Sequence, residues 1–311
     1  MAQPAAKSNA KTFQTISPVD GSVFVERPLQ TPADIDRALI VAQKAQRDWR
    51  QVSIADRQKI MLKFLDAMLS KADEIGTELT WQMGRPVRYT PGEIKGGFQE
   101  RLKYMVDLAP KALADIVPPD AREGFKRFIR REPVGIVVLI APWNYPYLTS
   151  LNTIVPALLS GNAVILKHSQ QTPLCADRFA AGFKAAGLPE GLFQFLDLSH
   201  EDTEKLIGDA RVGFVNFTGS VRGGHAVQKA ISNYFIIAGL ELGGKDPAYV
   251  RPDVDLSYAV ENLVDGAMFN SGQCCCGIER IYVHEKVYNE FVDGFVDLTK
   301  KYVLGNPLDA A

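Results

Sequence analysis

The sequence predicts an α/β chain organised around a doubly wound parallel sheet, and three observations carry that prediction. Short apolar runs rich in Val, Ile, Leu and Phe recur at 135–140, 163–167, 192–196, 213–217 and 234–238. Segments with helical periodicity lie between them, at 147–160, 173–186, 201–207 and 223–232. With 311 residues and 46% hydrophobic content, the chain is also long enough to bury two cores. Strands that read as continuous apolar runs are covered on both faces, and alternating helices supply the cover. Such a sheet takes ligands at the carboxyl ends of its strands, where Asn144, Lys167 and Gly219 fall.

The elements follow in order. Residues 1–13 contain two lysines but no apolar core of a leader, so the sequence predicts no secretory signal. The first third reads as helices. Thr31-Pro32 supplies an N-cap and an N1 proline, after which Ile35, Ala38, Leu39, Ala42, Ala45 and Trp49 form one stripe. Ile60, Phe64, Met68 and Ala72 repeat the pattern. Gly84-Arg85-Pro86 breaks it, and 91–108 is helical again. Residues 116–133 alternate imperfectly and end at a proline, which suggests an extended arm or hairpin strand. The sheet follows up to Glu241. Beyond it come a strand (248–250), a helix (257–269), a cysteine-rich loop, a strand (278–284) and a helix (286–302). That is about one βαβ unit, too little to bury its own faces as a separate domain.

Composition excludes several functions. A net charge of −1 and a pI of about 6.5 give no electrostatic footprint for nucleic acid or an anionic membrane. The longest apolar stretch, 134–142, is strand-sized and far short of the ~18 residues that cross a bilayer. Four cysteines, three of them adjacent, form neither a disulfide framework nor a zinc site, and a reducing, cytoplasmic setting fits best. His168, His200, His225 and His284 have no ligand spacing, so no metal is expected.

Five features could carry chemistry. Cys275 lies among small residues, where backbone amides can approach the sulfur and an oxyanion formed beside it. A buried structural thiol is the alternative reading. Glu241 sits between apolar residues before Gly243-Gly244, and burial there would raise its pKa and make it a general base; a solvated carboxylate is the plainer possibility. Asn144, directly after a strand, can donate to an oxyanion or simply close a turn. Lys167 ends a strand, as many solvated lysines do. Gly219-Ser220 opens a helix whose N-terminus suits a pyrophosphate, although many strand–helix turns look alike.

The segments Phe269-Asn270-Ser271-Gly272-Gln273-Cys274-Cys275-Cys276, Leu240-Glu241-Leu242-Gly243-Gly244-Lys245, Pro142-Trp143-Asn144 and Phe217-Thr218-Gly219-Ser220 together resemble the aldehyde dehydrogenase superfamily. The resemblance spans essentially the whole chain. It implies oxidation of a small-molecule aldehyde to a carboxylic acid with NAD or NADP. Cys275 would be the nucleophile, Asn144 the oxyanion donor with the Cys275 amide, and Glu241 the base that activates water for thioester hydrolysis. Trp143, Lys167, Gln170, Gly219, Ser220 and Gly224 would hold the dinucleotide, Lys167 on the adenosine ribose. Gln170 stands where the family has an acidic residue. A carboxylate there repels a 2′-phosphate and a neutral amide does not, so both coenzymes stay open.

The resemblance also implies a Rossmann-like NAD(P)-binding domain over 1–240, with an extended arm at about 116–134. Residues 241–311 would be the N-terminal, incomplete part of an α/β catalytic domain, so the chain reads as truncated within it. Family members are homo-oligomers. A rival reading is a catalytically silent fragment that at most binds dinucleotide or a partner subunit. A third, acyl transfer to coenzyme A, is disfavoured by Glu241, which such enzymes do not need. Aromatic residues around 143–148 and 268–276 hint at an apolar or semi-apolar aldehyde.

Overall fold

The structure, a computed structural model, describes residues 11–120 and 123–309. The expectation of no leader therefore falls largely outside the described residues, as does the chain's last pair. The described chain opens not on a helix but on an antiparallel hairpin, β1 (Thr12–Ile16) and β2 (Val23–Pro28). Sequence periodicity missed it for a physical reason. The buried face of β1 holds Phe13 and Thr15, and Thr15 is polar. Its hydroxyl is satisfied by donating to the Gln170 carbonyl at 2.6 Å, so burial leaves no apolar alternation to read.

α1 (Pro32–Trp49) starts as expected, with Thr31 and Asp34 closing a capping box. The stripe read across 60–72 belongs to two helices, α2 (Ile54–Leu69) and α3 (Ala72–Met83), separated at Ser70-Lys71. Gly84 ends α3 at φ +79°, a left-handed position that suits glycine. α4 (Thr90–Glu93) passes through a π turn at Ile94–Phe98 into α5 (Gln99–Ala112). The proposed arm is mostly irregular and is pinned by one antiparallel bridge between Ile116 and Ile129.

The alternating region then follows: β3 (Ile136–Ile140), α6 (Pro146–Leu159), β4 (Ala163–Lys167), α7 (Leu174–Ala186), β5 (Phe193–Phe195), α8 (His200–Ile207), β6 (Val212–Thr218), α9 (Val221–Ile231) and β7 (Ile237–Glu241). The strands form one sheet in the order β5-β4-β3-β6-β7, every pair parallel. β3 and β4 are buried at every position, as their apolar runs require. β7 lies three residues later than the run at 234–238. It is an edge strand whose register comes from pairing with β6, Phe214 to Ile237 and Thr218 to Glu241, while Phe235 is fully exposed. Last come β8 (Asp246–Val250), α10 (Leu256–Met268), β9 (Ile278–Val283) and α11 (Tyr288–Thr299). β8 and β9 pair in parallel over a small separate cluster of Val250, Val260, Val264 and Phe291.

Polar groups close the main core at the end of α6. Buried Arg57 donates to the carbonyls of Leu159 (2.8 Å), Trp49 and Arg50 (both 3.1 Å), and the Trp49 indole donates to Leu158 O at 2.8 Å. These bonds satisfy carbonyls that helix ends otherwise leave without partners. Just past β4, His168 is buried beside Lys167, and burial pushes its pKa down to about 4 from 6.5. The folded state therefore holds it neutral while the unfolded chain would protonate it near 6.5. Its contribution is complete above that pH and is lost as pH falls from 6.5 towards 4, amounting to on the order of 3 kcal/mol. Thermal melts of the native protein at pH 7 and pH 4.5 should show this loss, and His168→Gln should flatten it; equal pH slopes in the two proteins would contradict it.

Candidate active site

The order of the sheet dictates where a ligand can enter. β3, β4 and β5 step outward in one direction, while β6 and β7 step in the other, so the loops after β3 and β6 part at their carboxyl ends. A cavity of about 820 Å³ opens there. Its walls are the loop Ala141–Asn144, Lys167 and Ser169 after β4, one face of α8, and the start of α9. Lys167 is buried, and desolvation lowers its pKa while Asp197 opposes the shift. The Ser220 hydroxyl caps α9 by accepting from Gly223 N at 3.1 Å. At 219 and 223 the Phe217 ring lies close enough that a Cβ would collide with it unless the ring moved. A buried lysine facing a helix N-terminus across a mostly apolar hollow suits a dinucleotide's ribose and phosphates.

A second hollow of about 860 Å³ lies beyond the cysteine loop. One face of α6, Leu148, Thr149 and Asn152, forms a wall that continues from Tyr145; Phe269 and Cys274 to Cys276 face it. Glu241 lines this hollow, and Cys275 lines both hollows. The two side chains named as thiol and base therefore border one cleft. Glu241 is exposed, however, so the burial expected of it is not found. Its position at the end of the uncovered edge strand β7 is the reason.

The cysteine loop has an unusual backbone. Asn270, Ser271 and Gly272 are all left-handed, at φ 52°, 58° and 74°, and reverse the chain after α10. Gly244 sits directly under the Cys275 carbonyl, and a Cβ at 244 would collide with that oxygen. The Gly-Gly pair after Glu241 thus lets the cysteine loop lie against β7's continuation. Asn144 Nδ2 donates to Gln273 O at 3.1 Å, while its Oδ1 accepts from Tyr145 N at 3.1 Å. The amide is oriented from both ends. Flanking the central thiol, Cys274 and Cys276 have sulfurs 3.3 Å apart. That hydrogen bond, with burial, pushes the Cys276 thiol up to about 11, so it stays protonated at neutral pH.

Sequence reasoning missed three residues that organise this region. Arg85 and Glu93 form an ion pair at 2.6 Å, with side chains 5% and 2% exposed. The other nitrogens of Arg85 donate to Asn144 O and to Asn270 Oδ1, the latter at 2.8 Å. Glu93 Oε1 accepts from Tyr147 N (2.9 Å) and Leu148 N (3.0 Å) at the start of α6. The Arg85 guanidinium lies over the Tyr145 ring, 4.6 Å from its centroid, and the Phe269 ring stacks against the same tyrosine. The only sequence signal was Gly84-Arg85-Pro86, read as a break. The partner Asn270 is 185 residues away, beyond any local pattern.

The remaining candidates divide. Trp143, Gly219 and Ser220 line the first hollow with Lys167. Gln170 and Gly224 are not among its lining residues. Gln170 offers its backbone carbonyl to Thr15, and Gly224 is packed under Leu242, where a Cβ would come within 2.9 Å. Ser169 and Arg222, which were not singled out, do face the hollow.

Known proteins of similar sequence and fold belong to one family. The family model described as "Aldehyde dehydrogenase family" matches residues 5–311. The chain is 34% identical over 97% of its length to 3,6-anhydro-alpha-L-galactose dehydrogenase of Streptomyces coelicolor, covering 60% of that protein. It is 32% identical over 96% of its length to D-glyceraldehyde dehydrogenase (NADP(+)) of Picrophilus torridus, covering 61% of it. Among solved structures, the NAD-dependent aldehyde dehydrogenase from Sinorhizobium meliloti superposes with a TM-score of 0.92 at 30% identity, over 96% of this chain and 60% of that one. The chain thus spans about 60% of the length of these relatives.

Close packing of Gly244 under Cys275 yields a direct test. Gly244→Ala should displace the cysteine loop, at a stability cost of about 1–3 kcal/mol. The observable is the rate of Cys275 carbamidomethylation, read by peptide mass; an unchanged rate and an unchanged melting temperature would show that the loop has room to spare.

Proposed function

The chain belongs to the aldehyde dehydrogenase family, and from that premise we propose that it carries the thiol, base and coenzyme-binding residues for NAD(P)-dependent oxidation of an aldehyde to an acid. In this reading residues 1–240 hold the coenzyme and residues 241–311 bring the nucleophile to it. The observation that carries the proposal is the double exposure of Cys275, which borders the hollow at the sheet's switch point on one side and the Glu241 hollow on the other.

The chemistry follows from what these groups can do. Cys275 Sγ, as thiolate, forms a bond to the aldehyde carbon while the carbonyl π pair moves to oxygen. Asn144 Nδ2 has a second N–H besides the one given to Gln273 O, and with the Cys275 amide it would donate to that oxyanion. The bound coenzyme's nicotinamide would supply the hydride acceptor. Glu241 would then take a proton from water, whose oxygen attacks the acyl carbon; the C–S bond breaks and the acid leaves. Lys167, Ser169, Trp143, Gly219, Ser220 and Arg222 would hold the coenzyme. Gln170 places no carboxylate near a 2′-phosphate, and Lys167 and Arg222 are cationic, so NADP should be accepted as well as NAD.

The substrate hollow has a polar end. Arg101 Nη1 donates to Asn152 Oδ1 at 3.3 Å, and Thr149 lies on the same face of α6. The aromatic residues nearer the thiol do not set the preference alone, and a short aldehyde with a hydroxylated tail fits this wall. Two of the relatives, 3,6-anhydro-alpha-L-galactose dehydrogenase and D-glyceraldehyde dehydrogenase (NADP(+)), are named for hydroxylated aldehydes. Assembly into homo-oligomers and a cytoplasmic setting belong to the same proposal. Among the described residues no helix is long and apolar enough to cross a membrane, and the four cysteines are free thiols.

Two substitutions test the roles. Cys275→Ala should abolish aldehyde-dependent coenzyme reduction. If native protein reduces coenzyme no faster than Cys275→Ala, the silent-chain reading replaces this one. Glu241→Gln should keep a first-turnover burst of reduced coenzyme while slowing steady turnover by about 10²–10⁴-fold, the usual worth of a general base. Unchanged steady turnover would remove Glu241 from that role.

A further inference from the structure

We propose that Arg85 and Asn270 are positioning residues that lock the Asn144 loop and the Cys275 loop into one fixed relation. This deepens, and rests on, the reading of Cys275 as nucleophile and Asn144 as oxyanion donor.

Four groups from three distant segments form a closed circuit. Arg85 Nε donates to Asn270 Oδ1, and Arg85 Nη2 donates to Asn144 O. Asn270 Nδ2 in turn donates to Asn144 O at 3.2 Å and to Gln273 O at 3.1 Å. Asn144 Nδ2 donates to that same Gln273 carbonyl. The backbone oxygen of Asn144 and that of Gln273 are thus each gripped by two donors. One belongs to the residue presenting the amide; the other lies two residues before the thiol. Any relative motion of the two loops must break several of these bonds together.

The circuit is anchored to rigid structure. Glu93 holds the third nitrogen group of Arg85 and, through its other oxygen, the first amides of α6, three and four residues past Asn144. A guanidinium buried only for stability could be satisfied by Glu93 and nearby carbonyls. Here its planar fork is divided between the two loops that would have to meet across the substrate oxygen. Asn270 suits its place because asparagine tolerates the left-handed φ of 52° while its side chain reaches both ways.

The test uses the 311-residue chain and two thiol reagents. Acylation by p-nitrophenyl acetate develops an oxyanion and needs Asn144 in register; alkylation by iodoacetamide develops none. Asn270→Gly keeps the Arg85–Glu93 pair and accepts the backbone conformation. It should slow the p-nitrophenolate burst about a hundredfold, the cost of a displacement near 1 Å, while alkylation of Cys275 changes by less than about threefold. Arg85→Lys, which keeps the charge opposite Glu93 but loses the fork, should show the same split. In an Asn144→Ala background, Asn270→Gly should add little, because the group it positions is gone. Native burst rates in both single variants would overturn the proposal. So would a parallel fall in both reactions with a lowered melting temperature, or full additivity with Asn144→Ala. If Cys275→Ala keeps a native burst, the nucleophile assignment fails instead.

Discussion

Arg85 and Glu93 meet at 2.6 Å where almost no water reaches them, and the desolvation of two full charges has to be offset by every bond the pair makes. A buried pair of this kind contributes little net stability, whereas removing one partner costs about 3–5 kcal/mol. Its value lies in geometry. The carboxylate is saturated by the first amides of α6 and the guanidinium by two loop groups, so neither charge can turn without leaving a donor or acceptor stranded. The helices that build the main core thereby set the position of loops that would otherwise be free at the rim of the sheet.

The second constraint is steric. Three left-handed residues, Asn270 to Gly272, turn the chain after α10, and Gly244 leaves room for the Cys275 carbonyl to settle above it. Backbone held in such conformations costs about 1–3 kcal/mol per non-glycine residue and persists only where its surroundings impose it. The surroundings here are the Asn270 and Gln273 hydrogen bonds. The exposed thiol of Cys275 is therefore carried on a backbone held from both sides, between the hollow at the sheet's switch point and the hollow along α6.

Much of the fold was legible because burial on two faces leaves a direct trace. The apolar runs that became β3 and β4, and the capped start of α1 at Thr31, show how local chemistry and tertiary structure coincide. The trace fails where burial is partial or polar. Thr15 hid the face of β1, and the apolar run at 234–238 misplaced β7, because an edge strand takes its register from its neighbour and not from its own hydrophobicity. Among the site residues, Cys275, Glu241, Asn144 and Lys167 were singled out by the family resemblance of the segments around them, since residue type alone left a plainer reading open for each.

By itself the sequence determined the alternation of strand and helix, the family resemblance and the segments that border the cleft, since each depends on residues within one turn or one strand. Tertiary structure alone decided that Glu241 stands exposed, that Gln170 and Gly224 stay outside the lining of the hollow at the switch point, and that Arg85 joins Asn270 across 185 residues. Those outcomes depend on how separate elements meet. Long-range contacts are selected by the packing of the whole sheet and its helices, and no local pattern of residues encodes them.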